Sequence, residues 1–231
     1  MRYKKDILMA IGKFVSALTL TIVLTACGQK ESRQLLTQED SLAIVQDNLN
    51  HRQEVDLFFR DSPDSPFQKD TTIEYAGINW FPVNPHFRGR SVLHRYDNPE
   101  TVVVFGTKGE ERKNLRYGYF EFDVPDETGS STTIRINAYK FTPYDKRRYE
   151  LFRNNLSVWF TDKTTGKETY GVGRYVEVGE EHPDPNFVYS IDLNKAYNPY
   201  CAYSDMFSCA IPRKEDRINV ALRVGEMNYH H

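Results

Sequence analysis

The sequence predicts a mainly β protein, an antiparallel β-sandwich or barrel of about ten strands led by one N-terminal α-helix. Three observations carry this expectation. Aromatic residues make up 13% of the chain, with 15 Tyr and 14 Phe against 4 Met, and such rings favour pleated, half-buried surfaces. From Thr71 onward, short runs of β-branched and aromatic residues recur between breaks containing Gly, Pro, Asp or Asn, the signature of strands and turns. No regular alternation of strands with helices accompanies them, which argues against a parallel α/β sheet.

The first 26 residues read as a targeting segment rather than as part of the fold. Arg2, Lys4 and Lys5 form a basic start, residues 7–23 are mostly apolar, and Leu24-Thr25-Ala26-Cys27 fits a bacterial lipoprotein cleavage box followed by Gly28. The small residues suit the peptidase, and the Cys27 thiol suits transfer of a diacylglycerol. The apolar run is short and interrupted by Gly12, Lys13, Ser16 and Thr19, so it suits a membrane span poorly. The expected product is lipidated at Cys27 and tethered through residues 27–38, with a single β-rich domain, 39–231, outside the cytoplasm at the cell envelope. Its membrane partner is reached through acyl chains.

Removing residues 1–26 takes away Arg2, Lys4, Lys5, Lys13 and Asp6, which shifts the formal charge from −2 to −5. A mildly acidic domain is a poor nucleic-acid binder. Familiar nucleophile, zinc-hydrolase and phosphate-loop patterns are missing, with no Gly-x-Ser-x-Gly, His-Glu-x-x-His or Gly-Lys-Ser sequence, and no cofactor is expected. His182 and the terminal His230-His231 read as loop and tail residues, and no metal site is expected.

The leading helix is expected over 39–59. Thr37 can cap it, and Glu39 and Asp40 suit its first turn. Leu42, Val45, Leu49 and Phe59 share one face, with Val55 near its edge, and Arg52 and Glu54 read as solvated. Asp61-Ser-Pro-Asp-Ser-Pro66 then stops the helix, because proline cannot continue the hydrogen-bond ladder.

Ten strands are expected at 71–75, 78–81, 91–96, 101–105, 115–124, 132–141, 156–160, 169–178, 187–193 and 218–224. The clearest is 132–141, where Ile134, Ile136 and Ala138 alternate with Arg135, Asn137 and Tyr139, as in a half-buried antiparallel strand.

Two polar, turn-forming segments stand out, 160–175 and 192–209. In the first, Asp162-Lys-Thr-Thr-Gly166 has hairpin-turn chemistry, with Asp and Thr bonding the turn backbone. If the chain beyond it is a strand, Glu168, Tyr170 and Arg174 share one face and offer an acid, a phenol and a guanidinium to a polar ligand or to each other. The second runs through Asp192, Asn194, Tyr197, Asn198, Pro199, Cys201 and Tyr203. Residues 194–212 form a long stretch without a clear element, and such stretches in compact domains are commonly functional. It can wall a pocket or plug one end of the fold. Cys201 and Cys209, spaced Cys-x7-Cys, fit either a local disulfide in an oxidising compartment or two buried thiols.

These segments resemble the bacterial family known as domain of unknown function 1684. The resemblance rests on Phe160, Asp162, Thr164, Gly166, Thr169, Tyr170, Gly173, Arg174 and Tyr175, then on Asp192, Asn194, Ala196, Tyr197, Asn198, Pro199, Cys201, Ala202 and Tyr203. It continues through Cys209, Pro212, Glu215, Gly225 and Glu226. Thr165, Leu193, Tyr200, Ala210 and Arg213 depart from the family pattern, the last two standing where prolines are usual. The resemblance locates a site without naming a chemistry, and cytoplasmic members of such a family would hold the two cysteines reduced.

Three function classes remain. The favoured one is a pocket for a small polar ligand or glycan formed by 160–175 and 192–209, with Tyr170, Arg174, Tyr175, Asp192, Asn194, Tyr197, Asn198 and Tyr203 as binding candidates. The second is a hydrolase that uses two carboxylates from Asp162, Glu168, Asp192, Glu215 and Glu226, one raised in pKa and one ionised. The third is a structural or interaction lipoprotein.

Overall fold

The computed structural model describes residues 36–229. The expected signal peptide 1–26, Cys27, most of the tether and His230-His231 lie outside the described residues. Among those described, no helix is long and apolar enough to cross a membrane.

Helix α1 spans Gln38–Asp61. Thr37 caps it in a reciprocal box with Asp40: the Thr37 Oγ1 accepts from the Asp40 amide at 3.0 Å, and the Asp40 carboxylate accepts from the Thr37 amide at 3.2 Å. The buried stripe is not the one expected. Ile44, Asn48 and Phe59 are buried and Val55 is half-buried, whereas Leu42 and Leu49 are 61% and 44% exposed. The inward stripe includes polar Asn48 and Arg52, which masked it in the apolar pattern. Arg52 is not a solvated residue: it donates to the Phe81 carbonyl at 2.8 Å and lies over the Trp80 ring. Ser65 caps the short helix α2, Pro66–Lys69.

Among the described residues seven strands follow in two antiparallel sheets: β1 Arg88–Val92, β2 His94–Phe105, β3 Glu111–Pro125, β4 Ser131–Phe141, β5 Asn155–Phe160, β6 Arg174–Glu180 and β7 Val188–Asp192. A short helix α3, Lys146–Phe152, lies between β4 and β5. The larger sheet has the order β2-β3-β4-β5-β6 and does not close, and β1 pairs with β7 in a two-stranded sheet. The expected strand at 91–96 is thus divided between the two sheets. The β2–β3 register shifts between Arg95 and Glu100, where Pro99 has no amide to donate.

One apolar core joins the sheets: Phe120, Phe122, Ile134, Ile136 and Val158 from the larger, with Tyr189 and Ile191 from the smaller. Gly89 of β1 crosses so near β3 that a Cβ there would lie 2.0 Å from the Phe122 ring. Strand β4 is buried on both faces over its second half, because Tyr139 stacks on Trp159 with ring centroids 4.6 Å apart.

Three expected strands are absent as such. Residues 71–75 and 78–81 form only an isolated bridge at Trp80. Residues 218–224 alternate inward and outward like a strand, with Ile218, Val220, Leu222 and Val224 buried, yet they lack a full ladder partner. Their hydrogen bonds go to the 161–163 backbone and to two buried side chains, Asp162 and Arg174.

Candidate functional site

Segment 160–175 does not continue as a strand after its turn. Asp162 Oδ1 accepts from the Thr164 amide at 2.7 Å and from its hydroxyl at 2.6 Å. The Thr164 carbonyl collects the Lys167, Glu168 and Thr169 amides. Gly173 leaves the turn at φ +120°, where a Cβ would lie 2.6 Å from the Phe160 carbonyl. The backbone therefore rotates through the segment, and Glu168, Tyr170 and Arg174 do not share a face. Glu168 meets Arg223 at the surface at 2.8 Å. Tyr170 is half-buried and donates to the Cys201 carbonyl at 3.1 Å. Arg174 turns into the interior.

Arg174 is 1% exposed and pairs with Asp162 at 2.9 Å. It also donates to the carbonyls of Leu222 at 2.8 Å, of Glu226 at 3.2 Å, and of Val224. Asp162 Oδ1 accepts the Leu222 amide at 3.3 Å. The pair thus substitutes for a strand neighbour, satisfying backbone groups that would otherwise be buried without partners. Burial pushes the Arg174 guanidinium down from its ordinary range, with Asp162 opposing.

Glu226 links this pair to the second segment. Its Oε2 accepts the Asn198 amide at 2.7 Å and the Tyr203 hydroxyl. Its Oε1 has no hydrogen-bond partner, and burial raises its pKa to about 7 against the lowering effect of Tyr203, Asn198 and Arg174. Asn198 also donates to the Met227 carbonyl at 2.8 Å. Tyr203 packs edge-on against Phe59 of α1 and beside Phe67 of α2, which anchors both helices to the sheet body.

The remaining candidates are spread around this centre. Asp192 accepts from Asn48 of α1 at 2.9 Å and from the Asn194 amide at 3.0 Å. Asn194 bonds both backbone groups of Asn84. Tyr197 donates to Glu177 at 2.6 Å, and Tyr175 to the Ala210 carbonyl at 2.6 Å. Glu215 pairs with Arg213 at 2.8 Å. Arg174, Asp192, Asn194, Asn198 and Tyr203 are buried and occupied by protein partners, so the two segments meet in a filled polar network.

The open space lies beside that network. A cleft of about 490 Å³ is lined by Thr107, Lys108, Tyr170, Val172, Cys201, Asp205, Phe207 and Ile211. Of the binding candidates, Tyr170 alone reaches it. Lys108 and Asp205 give it one cation and one carboxylate, and Phe207, Val172 and Ile211 give it an apolar wall. Thr107 and Lys108 sit in the 106–109 turn, about a hundred positions before Cys209, and pair with it through Thr107 N–H to the Cys209 carbonyl at 3.0 Å. Nothing local in the sequence joins these positions; the turn chemistry of 106–109 and of Ser204-Asp205 was their only signal.

Cys201 and Cys209 are free thiols here, Cys201 half-buried at the cleft and Cys209 buried. The Cys201 amide donates to the Cys209 sulfur at 3.2 Å. Among the described residues no group of three or more His, Cys, Asp or Glu is placed to hold a metal ion. A second groove of about 310 Å³ runs along β4 past Arg135, Asn137, Glu215 and Arg217.

A solution NMR structure of an uncharacterized protein of Haloarcula marismortui is similar, with 27% identity and a TM-score of 0.55, covering 84% of this chain and all of that one. No curated protein matches the chain. The family model described as protein of unknown function DUF1684 matches residues 73–227. That match spans the larger part of the chain, from the loop after α2 to the network around Glu226, and the chain belongs to the DUF1684 family.

Proposed function

We propose that the chain is a lipid-anchored envelope protein that binds a small polar ligand, such as a glycan unit, in the cleft beside Tyr170. The observation that carries this reading is the origin of the cleft wall: Tyr170 and Val172 come from segment 160–175, and Cys201, Asp205 and Phe207 from segment 192–209. Its volume falls within the range of small-molecule sites, and its few polar groups converge on an apolar wall. Anchoring is supported by the basic start, the apolar run and Leu24-Thr25-Ala26-Cys27. We read the two sheets as an open sandwich, with the cleft at the end where the 106–109 turn meets Cys209.

None of the five candidate carboxylates lines this cleft. Asp162, Asp192 and Glu226 are buried against protein partners, and Glu168 and Glu215 are paired with arginines. Binding therefore fits the geometry better than a two-carboxylate hydrolase. The test is saturation-transfer NMR of the full chain against a panel of mono- and oligosaccharides, with Lys108→Ala and Asp205→Ala as cleft variants. The reading expects transfer to at least one sugar, lost in both variants at unchanged melting temperature. Transfer that survives both substitutions, or none across the panel, counts against it.

A further inference from the structure

The structure assigns Cys201 and Cys209 a role beyond packing. We propose that they form a redox-active dithiol, with Cys201 attacking a low-molecular-weight disulfide admitted by the cleft and Cys209 resolving the product. The proposal stands independently of whatever else the cleft binds.

Four features of the geometry support it. Cys201 is half-buried and forms part of the cleft wall, so a small reagent entering the cleft meets this residue. Cys209 sits directly behind, near enough for the Cys201 amide to donate to its sulfur at 3.2 Å. The Tyr170 hydroxyl, which donates to the Cys201 carbonyl at 3.1 Å, also lies 3.7 Å from the Cys201 sulfur and can turn its one proton toward a thiolate formed there. Thr107 holds the Cys209 amide through its hydroxyl at 3.2 Å, which fixes the buried partner. The electrostatics divide the roles. Hydrogen bonding from the Cys209 thiol, then from Tyr170 and Thr107, brings the Cys201 pKa to about 7 despite burial. The Cys209 thiol is pushed up by its bond to Cys201 and by burial. The exposed member is the nucleophile and the hidden one the proton-bearing partner, as thiol–disulfide exchange requires.

In the first step the Cys201 thiolate attacks one sulfur of the disulfide RSSR. The S–S bond breaks, RS⁻ leaves, and a mixed disulfide Cys201–S–SR forms. In the second step Cys209 gives its proton to the first RS⁻ and attacks the Cys201 sulfur, expelling the second RS⁻, which takes from solvent the proton that Cys201 released to it on forming its thiolate. The net change is two protein thiols oxidised to one disulfide and RSSR reduced to two RSH. Atoms and electrons balance with RSSR as the sole oxidant.

The tryptic peptide 196–213 contains both cysteines and no other, which makes the test direct. The reduced full chain is incubated with oxidised glutathione, and this peptide is followed by mass. Wild type is expected to lose two hydrogens after passing through a glutathione adduct on Cys201. Cys209→Ser is expected to stop at that adduct. Cys201→Ser is expected to react about tenfold more slowly or worse, since its remaining thiol is buried and protonated. Melting curves verify that both variants fold, with Cys→Ala replacements as substitutes. If no variant folds, the wild-type time course decides alone. The proposal is overturned if Cys209→Ser stays unmodified, if the wild-type adduct never closes to a disulfide, or if the adduct forms on Cys209.

Discussion

Arg174 and Asp162 meet at 2.9 Å with both side chains 1% exposed, and between them they hold the backbone of residues 222–226 in place. A buried ion pair gains little over an apolar pair of the same shape, but losing one member leaves the other charged and unpaired. Here the loss is greater, since three carbonyls also depend on the guanidinium.

Arg174→Ala is therefore expected to cost about 3–5 kcal/mol of folding stability. Asp162→Asn keeps an acceptor for Thr164 but leaves the guanidinium without a counter-charge, and a similar loss is expected. Urea melts of both variants check this. A loss below about 1 kcal/mol, the worth of an ordinary surface pair, would show that the pair is not a structural staple.

Glu226 gives the pH dependence a definite sign. Its carboxyl titrates near pH 7 when folded, with burial the largest cause, and near 4.3 when unfolded. Between these values the folded state binds the extra proton, so this group's contribution to stability falls as pH rises through that window and is constant outside it. Glu226→Gln removes the titration. The melting temperature of wild type minus that of Glu226→Gln is expected to decline from pH 4.5 to pH 7; a flat or rising difference contradicts the assignment.

Gly173 and Gly171 form a matched pair two residues apart. At Gly173 the backbone has φ +120° and a Cβ would sit 2.6 Å from the Phe160 carbonyl, whereas at Gly171 the nearest atom is 3.9 Å away. Gly173→Ala is expected to destabilise by at least about 1–3 kcal/mol, and Gly171→Ala to be nearly neutral. Equal effects in chemical denaturation would mean that the turn conformation is not what requires glycine.

Thr37→Ala is expected to cost about 1 kcal/mol, since it removes one half of the capping box on α1. Hydrogen exchange should report the loss mainly in the first turn of that helix; protection unchanged there would contradict the capping role.

Much of this architecture could be read from residue order. The Thr37 cap, the stop at Asp61-Ser-Pro and the long β3 and β4 strands follow from local rules that the structure obeys. The inward face of α1 did not, because buried Asn48 and half-buried Arg52 turn inward for their bonds to Asp192 and to the Phe81 carbonyl rather than for apolarity. Residues 218–224 have the alternation of a strand, but Arg174 and Asp162 replace part of a ladder, and no pattern within seven residues reveals that. The polar segments were legible as special. Their buried members proved to be fold-holding groups, while the open face belongs to neighbours such as Asp205 and to the distant Thr107–Lys108 turn.

The central claim is that the cleft beside the network, and not the network itself, receives a ligand. Amide chemical-shift mapping of the isotopically labelled full chain, titrated with the saccharide panel, tests it most directly. Perturbations are expected to cluster at Thr107, Lys108, Tyr170, Val172, Asp205 and Phe207. Perturbations confined to the Arg135–Asn137 and Arg217–Asn219 groove, or shared by no contiguous surface, would contradict it.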